Sequence, residues 1–382
     1  MIAITSRRLI DGTGRAPLEP GVLLIEDEYI TAVGTPPEVP IPDEAQVIDV
    51  GGQTLLPGLI DMHAHISLPP QLREPDAVRA FWITANLRRY LKSGCTTIRV
   101  VGEFNFVDIE CRRAVDAGVI AGPRLLVAGN PLHSGHGLPL PVNGVDATRK
   151  AVRQNLKAGA DLTKMFVTAS MLARNEAPTA CHYSKAEIEV AVEETHRAGK
   201  RVAAHAHGGI GLQYCLEAGV DTIEHGVFME DQDIELFLKR GAWLVATNSV
   251  LYHPEGFERT RFSDPELKER ILEARETTAE RFHRAYQAGI KHTVGTDNMI
   301  GHLAYEAKLL VDFGVDPLQA VAAATGQAAE ACGVADRWGT LKPGMYADTI
   351  SVDGNPLEDI TALYNVGLIM KGGQRYDTIS EL

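Results

Sequence analysis

Eight short apolar runs alternate with segments of helical spacing through the middle of this chain, and this alternation restricts the folds it can adopt. The intervening segments 77–94, 108–118, 147–159, 185–199 and 231–241 each end in or next to glycine, a common helix C-terminal signal. Eight strands alternating with helices predict an α/β fold, a (β/α)8 TIM-like barrel. The alternative is an open doubly wound sheet, which we favour less because no GxGxxG follows the first run. The eight runs are 55–66, 96–102, 124–129, 162–168, 201–207, 222–226, 243–247 and 292–297.

Both ends of the chain are rich in β-like sequence. Apolar runs broken by turn residues occur at 21–34 and 45–58, and again at 346–357 and 366–377. Neither end is long enough to fold alone. We therefore expect a small β-sandwich domain built from residues 1–56 plus 340–382, with the catalytic barrel of residues 57–339 inserted between its two halves.

Composition excludes several classes of protein. The chain has 37 Lys and Arg against 50 Asp and Glu, a net charge of −13, whereas a nucleic-acid binder needs a basic surface. No apolar stretch reaches the roughly 18 residues of a membrane span, and the N-terminus lacks the features of a signal peptide. The five cysteines form no CxxC motif, which is typical of reduced thiols. We expect a cytoplasmic protein that acts on a small molecule, with no nucleic-acid or membrane partner.

Residues able to bind a metal lie in or at the ends of five of the eight predicted strands. In a barrel enzyme the chemistry takes place at the C-terminal ends of the strands. His63 and His65 are two positions apart, so both side chains can point to the same side of one strand. Each of these residues alone has an ordinary structural explanation, but their joint position at strand ends indicates a metal site. The set is His63, His65, Lys164, His205, His225 and Asp297.

The motifs around these residues resemble those of the amidohydrolase superfamily. The segments PGLIDMHAHI, HAHG, AGVDTIEHG and VGTDN resemble its branch of imidazolonepropionase-related hydrolases and prolidase-like Xaa-Pro dipeptidases, as does RWGTLKPGMYADTISVDGNPLEDI near the C-terminus. The resemblance covers essentially the whole chain. It implies a centre of two divalent ions, with Zn²⁺ expected: His63, His65 and Asp297 would hold the more buried ion, and His205 and His225 the more exposed one.

The resemblance also implies roles for a lysine and an aspartate. Lys164 would react with CO2 to form a carbamate whose two anionic oxygens bridge the ions, because an amine itself cannot bridge two cations. The alternative is an uncarboxylated Lys164 beside a single metal. A hydroxide bridging the ions would attack the substrate carbonyl, and Asp297 would take its proton and pass it to the leaving nitrogen.

Candidate substrate contacts lie in the loops that follow the strands. His136 matches a loop histidine that in related hydrolases is expected to contact the substrate carbonyl. His207 stands where some relatives carry a tyrosine that would hydrogen-bond the scissile carbonyl. Tyr252 follows the seventh strand and is a candidate to line the pocket, while Met165 and Phe166 are expected to be packing residues. An arginine or lysine that recognises a carboxylate would support dipeptides; the sequence does not single one out, and Arg174, in the loop after strand four, is one option that is more often simply exposed.

The resemblance favours a metal-dependent hydrolase of amide-type C–N bonds, acting on a dipeptide or an N-acyl amino acid. Hydrolysis of a cyclic amide, a carbamate, or a lactone or ester by the same kind of site is the first alternative. A deaminase is less expected, because one-metal deaminases of this superfamily lack a carboxylatable lysine on strand four. A metal-binding scaffold without activity is the alternative from another class. Homo-oligomer formation is an expectation from the resemblance alone.

Overall fold

The computed structural model describes residues 1–134 and 140–377. Six strands open the chain and three close its described part, and together they build two sheets. The opening strands are β1 (Ile2–Ser6), β2 (Arg8–Leu9), β3 (Gly21–Glu26), β4 (Tyr29–Gly34), β5 (Gln46–Asp49) and β6 (Thr54–Pro57). The central strands are β7 (Leu59–Ala64), β8 (Cys95–Val100), β9 (Arg124–Val127), β10 (Leu132–His133), β11 (Leu162–Phe166), β12 (Arg201–Ala206), β13 (Thr222–His225), β14 (Trp243–Ala246) and β15 (His292–Val294). The closing strands are β16 (Thr349–Val352), β17 (Val366–Lys371) and β18 (Gln374–Arg375).

Strands from the two ends of the chain pair with each other. One sheet has the order β4-β3-β1-β5, and the other has the order β18-β17-β16-β6-β2. Ile4 and Leu23 of the first sheet share one buried apolar cluster with Leu55 and Met370 of the second. The two ends therefore bury one common core, as the expected small domain requires, while the boundaries at residues 56 and 340 stay a prediction.

The central strands are parallel and form two arcs. The first has the order β7-β8-β9, and the second has the order β10-β11-β12-β13-β14-β15. A parallel bridge between Ala64 and Asp297 connects the end of β7 to the segment after β15. Each of the eight predicted runs contains one of these strands, so the α/β alternation read from the sequence is confirmed.

The structure divides one predicted run and adds one strand. The run 55–66 contains both β6, which belongs to the small sheet, and β7, which belongs to the first arc. Gly58 separates them, and a Cβ atom there would lie 2.1 Å from Thr96 Oγ1, so only glycine allows this close passage. The two-residue strand β10 is too short to be recognised from sequence pattern.

Helices alternate with the central strands and pack on them. Leu87 and Tyr90 of the first helix lie in one apolar cluster with Ile98 of β8 and Val127 of β9. The five helices expected from glycine-terminated segments all form. The helices are α1 (Asp76–Lys92), α2 (Val107–Asp116), α3 (Val145–Ala158), α4 (Lys185–Arg197), α5 (Gly209–Ala218), α6 (Asp231–Arg240), α7 (Ser249–Tyr252), α8 (Phe257–Arg261), α9 (Pro265–Gln287), α10 (Leu303–Asp312), α11 (Pro317–Ala323) and α12 (Gly326–Cys332), with 3-10 turns at Gln71–Arg73, Phe104–Phe106 and Ile360–Tyr364.

Within residues 1–134 and 140–377, no helix combines the length and the apolar composition that crossing a bilayer requires.

Candidate metal centre

The parallel register brings the predicted ligands to one end of the two arcs. Lys164 of β11 lies opposite Ala203 of β12, and Ala206 at the end of β12 lies opposite His225 at the end of β13. Because neighbouring parallel strands end at the same edge, side chains far apart in sequence meet there. The residues that meet are His63, His65, Lys164, His205, His225 and Asp297.

Short distances join the imidazoles to one another and to the aspartate. The ring centroids of His63 and His225 are 4.8 Å apart, and those of His205 and His225 are 4.6 Å apart. His65 Nε2 lies 3.3 Å from Asp297 Oδ1. One ligand atom from each of His63, His225 and Asp297 falls within 4.8 Å of the others, so these three side chains are close enough to belong to one metal centre.

Hydrogen bonds to their Nδ1 atoms orient two of the histidines. His63 Nδ1 lies 2.7 Å from Glu224 Oε2, and His225 Nδ1 lies 2.6 Å from Thr247 Oγ1. In each ring the Nε2 atom is left as the nitrogen that can bind a metal ion. Sequence reasoning missed both partners, although Glu224 directly precedes His225.

A buried arginine holds Glu224 in place. Arg99 Nη2 donates to Glu224 Oε1 at 2.7 Å, and its Nη1 donates to Thr222 Oγ1 at 2.9 Å. Its Nε donates to the carbonyl oxygen of Met62 at 2.5 Å, one residue before His63. The guanidinium therefore connects β8, β13 and β7 beneath the candidate ligands. A single charge within the apolar run TTIRVVG is the sequence signal that could have identified Arg99.

A second buried carboxylate joins the first and last strands of the arcs. Asp61 Oδ1 accepts from the backbone N–H groups of His63 and Thr296 at 3.1 and 3.0 Å, and its Oδ2 accepts from Thr296 Oγ1 at 2.5 Å. Gly295 allows this approach, because a Cβ atom there would lie 2.4 Å from the backbone nitrogen of His63. Asp61 and Gly295 thus bring Asp297 next to the His63–His65 pair.

Two candidate ligands have backbone conformations that non-glycine residues rarely adopt. The φ angles of His225 and Asp297 are 76° and 53°. Both residues follow or end a strand, where the chain turns away from the sheet. Conformations of this kind are concentrated at functional sites, because the surrounding structure must hold them against their cost.

Burial shifts the protonation of the cluster toward the forms that bind metals. It lowers the pKa of Lys164 to about 8 and the pKa of His65 to about 3, and it holds the pKa of His63 well below its usual range. Burial raises the pKa of Asp297 to about 6, although nearby Lys164 opposes this shift. The imidazoles of His63 and His65 are therefore neutral at pH 7, as metal binding requires, and Asp297 is mostly ionised.

The donor set fits a divalent metal centre. Lys164 is completely buried, and within the described ranges its Nζ atom has no hydrogen-bond partner. A buried ammonium group without an acceptor is costly, so this position suits a lysine that is neutral or chemically modified. Imidazole and carboxylate groups, which surround it, are ligands that Zn²⁺ takes in hydrolytic sites.

A cavity of about 340 Å³ opens onto the cluster. Its wall is mainly apolar, and besides the candidate ligand Asp297 its described part contains two charged side chains, Glu103 and Arg261. Volumes of this order suit small organic ligands. Further wall residues, all apolar except Ser170, include Pro69, Leu72, Phe104, Pro131, Phe166, Ser170, Met171, Leu172, Val227, Val250, Leu251 and Phe257.

The structure decides the positions of three further residues at or after the strands. Tyr252 turns away from the cavity: its hydroxyl donates to the carbonyl of Arg275 at 2.5 Å, and the preceding residues Val250 and Leu251 form the wall instead. Phe166, expected to be packing, lines the cavity. Arg174 is 69% exposed and pairs with Asp264, so it is not placed to meet a ligand in the cavity.

Two other predicted contacts have different outcomes. His207 lines the cavity, with its ring 4.6 Å from that of His205 and 5.1 Å from that of His225. His136 lies outside the described residues, so its proposed contact with the substrate stays a prediction.

Comparison with known proteins agrees with this geometry. The Amidohydrolase family model matches residues 54–375. Ochratoxinase from Aspergillus niger is 27% identical to this chain over 418 aligned positions, which cover 96% of this chain and 85% of that protein. The crystal structure of that ochratoxinase superposes with a TM-score of 0.87, over 98% of this chain and 95% of that one. A crystal structure of a Xaa-Pro dipeptidase with methionine bound in its active site is 30% identical, with a TM-score of 0.89 over 98% of this chain and 99% of that one. The chain therefore belongs to the amidohydrolase family and is a hydrolase of amide bonds.

Proposed function

We propose that this protein is a metal-dependent hydrolase that cleaves the amide bond of a dipeptide or an N-acyl amino acid. One observation carries the proposal: four imidazoles and Asp297 line one end of an apolar cavity, and the buried amine of Lys164 lies near them. We further propose that the two arcs of parallel strands form a single closed (β/α)8 barrel, with this cluster at its C-terminal mouth.

The proposed centre holds two divalent ions, with Zn²⁺ as the expected metal. His63, His65 and Asp297 form the ligand set for one ion, which the 3.3 Å distance from His65 Nε2 to Asp297 Oδ1 supports. His205 and His225 form the set for the other, supported by their ring separation of 4.6 Å.

Lys164 is proposed to bridge the two ligand sets as a carbamate. Its amine nitrogen would form a bond to the carbon of CO2 and release one proton. The pKa of Lys164, lowered by burial to about 8, supports this step because a fraction of the amine is neutral, and therefore nucleophilic, near pH 7. The carbamate would place a negative charge among neutral imidazoles, where the unmodified side chain has no acceptor among the described residues.

The chain's own residues then supply binding and proton transfer. Divalent ions in this site would polarise the scissile carbonyl and lower the pKa of a water molecule. Asp297 accepts the proton of the attacking water and delivers it to the leaving nitrogen. The Nδ2 group of Asn298 donates to Asp297 Oδ1 at 2.9 Å, which orients the carboxylate. His207, in the cavity wall, would donate to the carbonyl oxygen, with His136 as a second proposed contact.

The cavity favours an apolar substrate of amino-acid type. Phe104, Phe166 and Met171 supply apolar surface around the candidate centre. The similar Xaa-Pro dipeptidase, which has methionine bound in its active site, supports the same substrate type.

A metal assay combined with a substrate panel tests the proposal. The purified protein would be reconstituted with Zn²⁺ and bicarbonate, and then assayed on dipeptides, N-acyl amino acids, cyclic amides, carbamates and lactones. We expect two ions per chain and turnover of dipeptides or N-acyl amino acids. Asp297→Asn should bind metal but lose at least about 100-fold in kcat, the scale of a missing general acid–base.

Each other outcome has a definite meaning. Turnover confined to cyclic amides, carbamates or lactones would replace the proposed substrate class. Two ions without turnover of any class would favour a binding protein. One ion per chain would contradict the bridging role of Lys164.

A further inference from the structure

The cavity wall contains one positively charged side chain outside the candidate metal centre, as far as the chain is described. Arg261 is the last residue of α8, in the segment that connects β14 to α9. It shares the wall with Phe257 of the same helix and with Leu251, so its guanidinium borders an apolar space.

Arg261 makes no ion pair with a described carboxylate. Among the described residues, the one hydrogen bond of its guanidinium runs from Nη1 to the carbonyl oxygen of the preceding residue, Thr260, at 3.4 Å. Neighbouring arginines differ: Arg275 pairs with Glu258 at 3.1 Å, and Arg270 pairs with Glu266 at 3.2 Å. Arg261 thus keeps the donors of its guanidinium for another partner.

The other charged group of the wall is an acidic side chain, which cannot pair with a carboxylate. Glu103 is 2% exposed, and its Oε1 atom accepts from the backbone N–H of Ser67 at 3.0 Å. Its Oε2 atom faces Arg79 Nε at 3.9 Å, on α1. Glu103 therefore helps to connect the loop after β7 to the loop after β8, and Arg261 is the charge that a ligand can neutralise.

We propose that Arg261 binds the free carboxylate of the substrate, and that the enzyme is selective for amides whose leaving group is an α-amino acid with an unblocked carboxylate. This inference rests on the proposed amide hydrolysis. A guanidinium pairs with a carboxylate through two parallel hydrogen bonds, and the apolar surroundings strengthen that interaction. One ligand in a cavity of about 340 Å³ can contact the metal-centre residues and Arg261 together.

The test compares Arg261→Met with the wild type on a matched pair of substrates. One is the best substrate of the panel, and the other is the same compound with its carboxylate converted to a primary amide. We expect kcat/KM for the acid to fall about 10- to 100-fold in the variant, mainly through KM, as for loss of a charged hydrogen bond. The variant should treat acid and amide alike, whereas the wild type should prefer the acid.

Arg259→Met is the matched control, because Arg259 is on the same short helix but is exposed and outside the cavity wall. It should leave both substrates unaffected. Equal losses for acid and amide in Arg261→Met, or no loss at all, would refute the assignment. A wild type that hydrolyses both compounds equally would also refute it while leaving the proposed function intact.

If no turnover is found, a binding measurement tests carboxylate recognition by Arg261 separately from the proposed amide hydrolysis. Calorimetric titration of the metal-loaded protein with L-methionine and with L-methioninamide tests recognition of the carboxylate alone. Tighter binding of the acid by the wild type, lost in Arg261→Met, would support Arg261 although the proposed function had failed. Equal binding of both compounds by the wild type would refute the role of Arg261.

Discussion

Replacement of Glu224 by Gln tests how the buried network supports the metal centre. The Glu224 side chain is fully buried and joins Arg99 to His63 through contacts of 2.7 Å each. Glutamine keeps the volume of the side chain but removes its charge. Its one amide oxygen can accept from Arg99 or from His63, and its NH2 group then faces the other.

The structure sets the size of the expected loss. Arg99 has a side chain that is 4% exposed, so the substitution leaves an almost completely buried cation without its counter-ion. Breaking a buried pair in this way costs about 3–5 kcal/mol of folding free energy. Loss of the carboxylate that orients His63 should in addition weaken metal affinity by about 10- to 100-fold.

Urea unfolding and chelator competition measure these two effects separately. Arg99→Met should reduce the cost of Glu224→Gln, because no buried cation then remains unpaired, and the double-mutant cycle should show a coupling of at least about 1 kcal/mol. Glu194→Gln is the control: this carboxylate is also buried and pairs with Arg149 and Arg153 of α3, outside the cavity wall, so the substitution should not change metal affinity.

The reasoning would be refuted by additive effects of the two substitutions in the cycle. If the Glu224→Gln variant bound metal as tightly as the wild type, His63 would not need this carboxylate for its orientation.

Three further predictions concern single positions. Lys164→Met should reduce bound Zn²⁺ from two ions per chain to one or none, because the proposed bridging ligand is lost; metal analysis after gel filtration checks this, and two retained ions would contradict it. Gly295→Ala should destabilise the protein by about 1–3 kcal/mol and weaken metal binding, since its Cβ would lie 2.4 Å from the backbone nitrogen of His63; thermal unfolding and chelator competition would detect both. Glu306 is fully buried, which raises its pKa from the usual 4.5 to about 8, so the folded state holds a proton that the unfolded state releases between these values. Wild-type stability should therefore fall by on the order of 4 kcal/mol as pH rises from 4.5 to 8 through this group, and unfolding of Glu306→Gln across that range should lack this component.

Local sequence pattern was sufficient for eight of the nine central strands and for the positions of the candidate ligands in or next to them. Each apolar run from β7 to β15 contains a strand, because burial on both faces selects continuous apolar residues. His63 and Asp297 could be assigned to strand ends from sequence, since strand termini are marked by changes in local composition. Parallel strands then require those ends to meet, and the structure brings them together as that rule predicts.

Sequence pattern failed where contacts depend on how separate elements pack. Tyr252 and Arg174 were chosen because they follow strands, but each turns to a partner on or next to α9. Loop direction depends on tertiary packing, which no local periodicity records. Arg261 reaches the cavity from the end of α8, where nothing in the surrounding residues distinguishes it from Arg259.

The sequence by itself determined the alternation of strands and helices and the identity of the metal-capable residues at the strand ends, because both depend on short-range pattern. Only the tertiary structure decided which groups support those residues. Asp61, Arg99 and Glu224 are ordinary charged residues in the sequence, and they become a network connected through His63 only when the fold brings β13 of the second arc to β7 and β8 of the first. Burial makes these contacts important for stability, because a charge excluded from water must pair with a group within the protein.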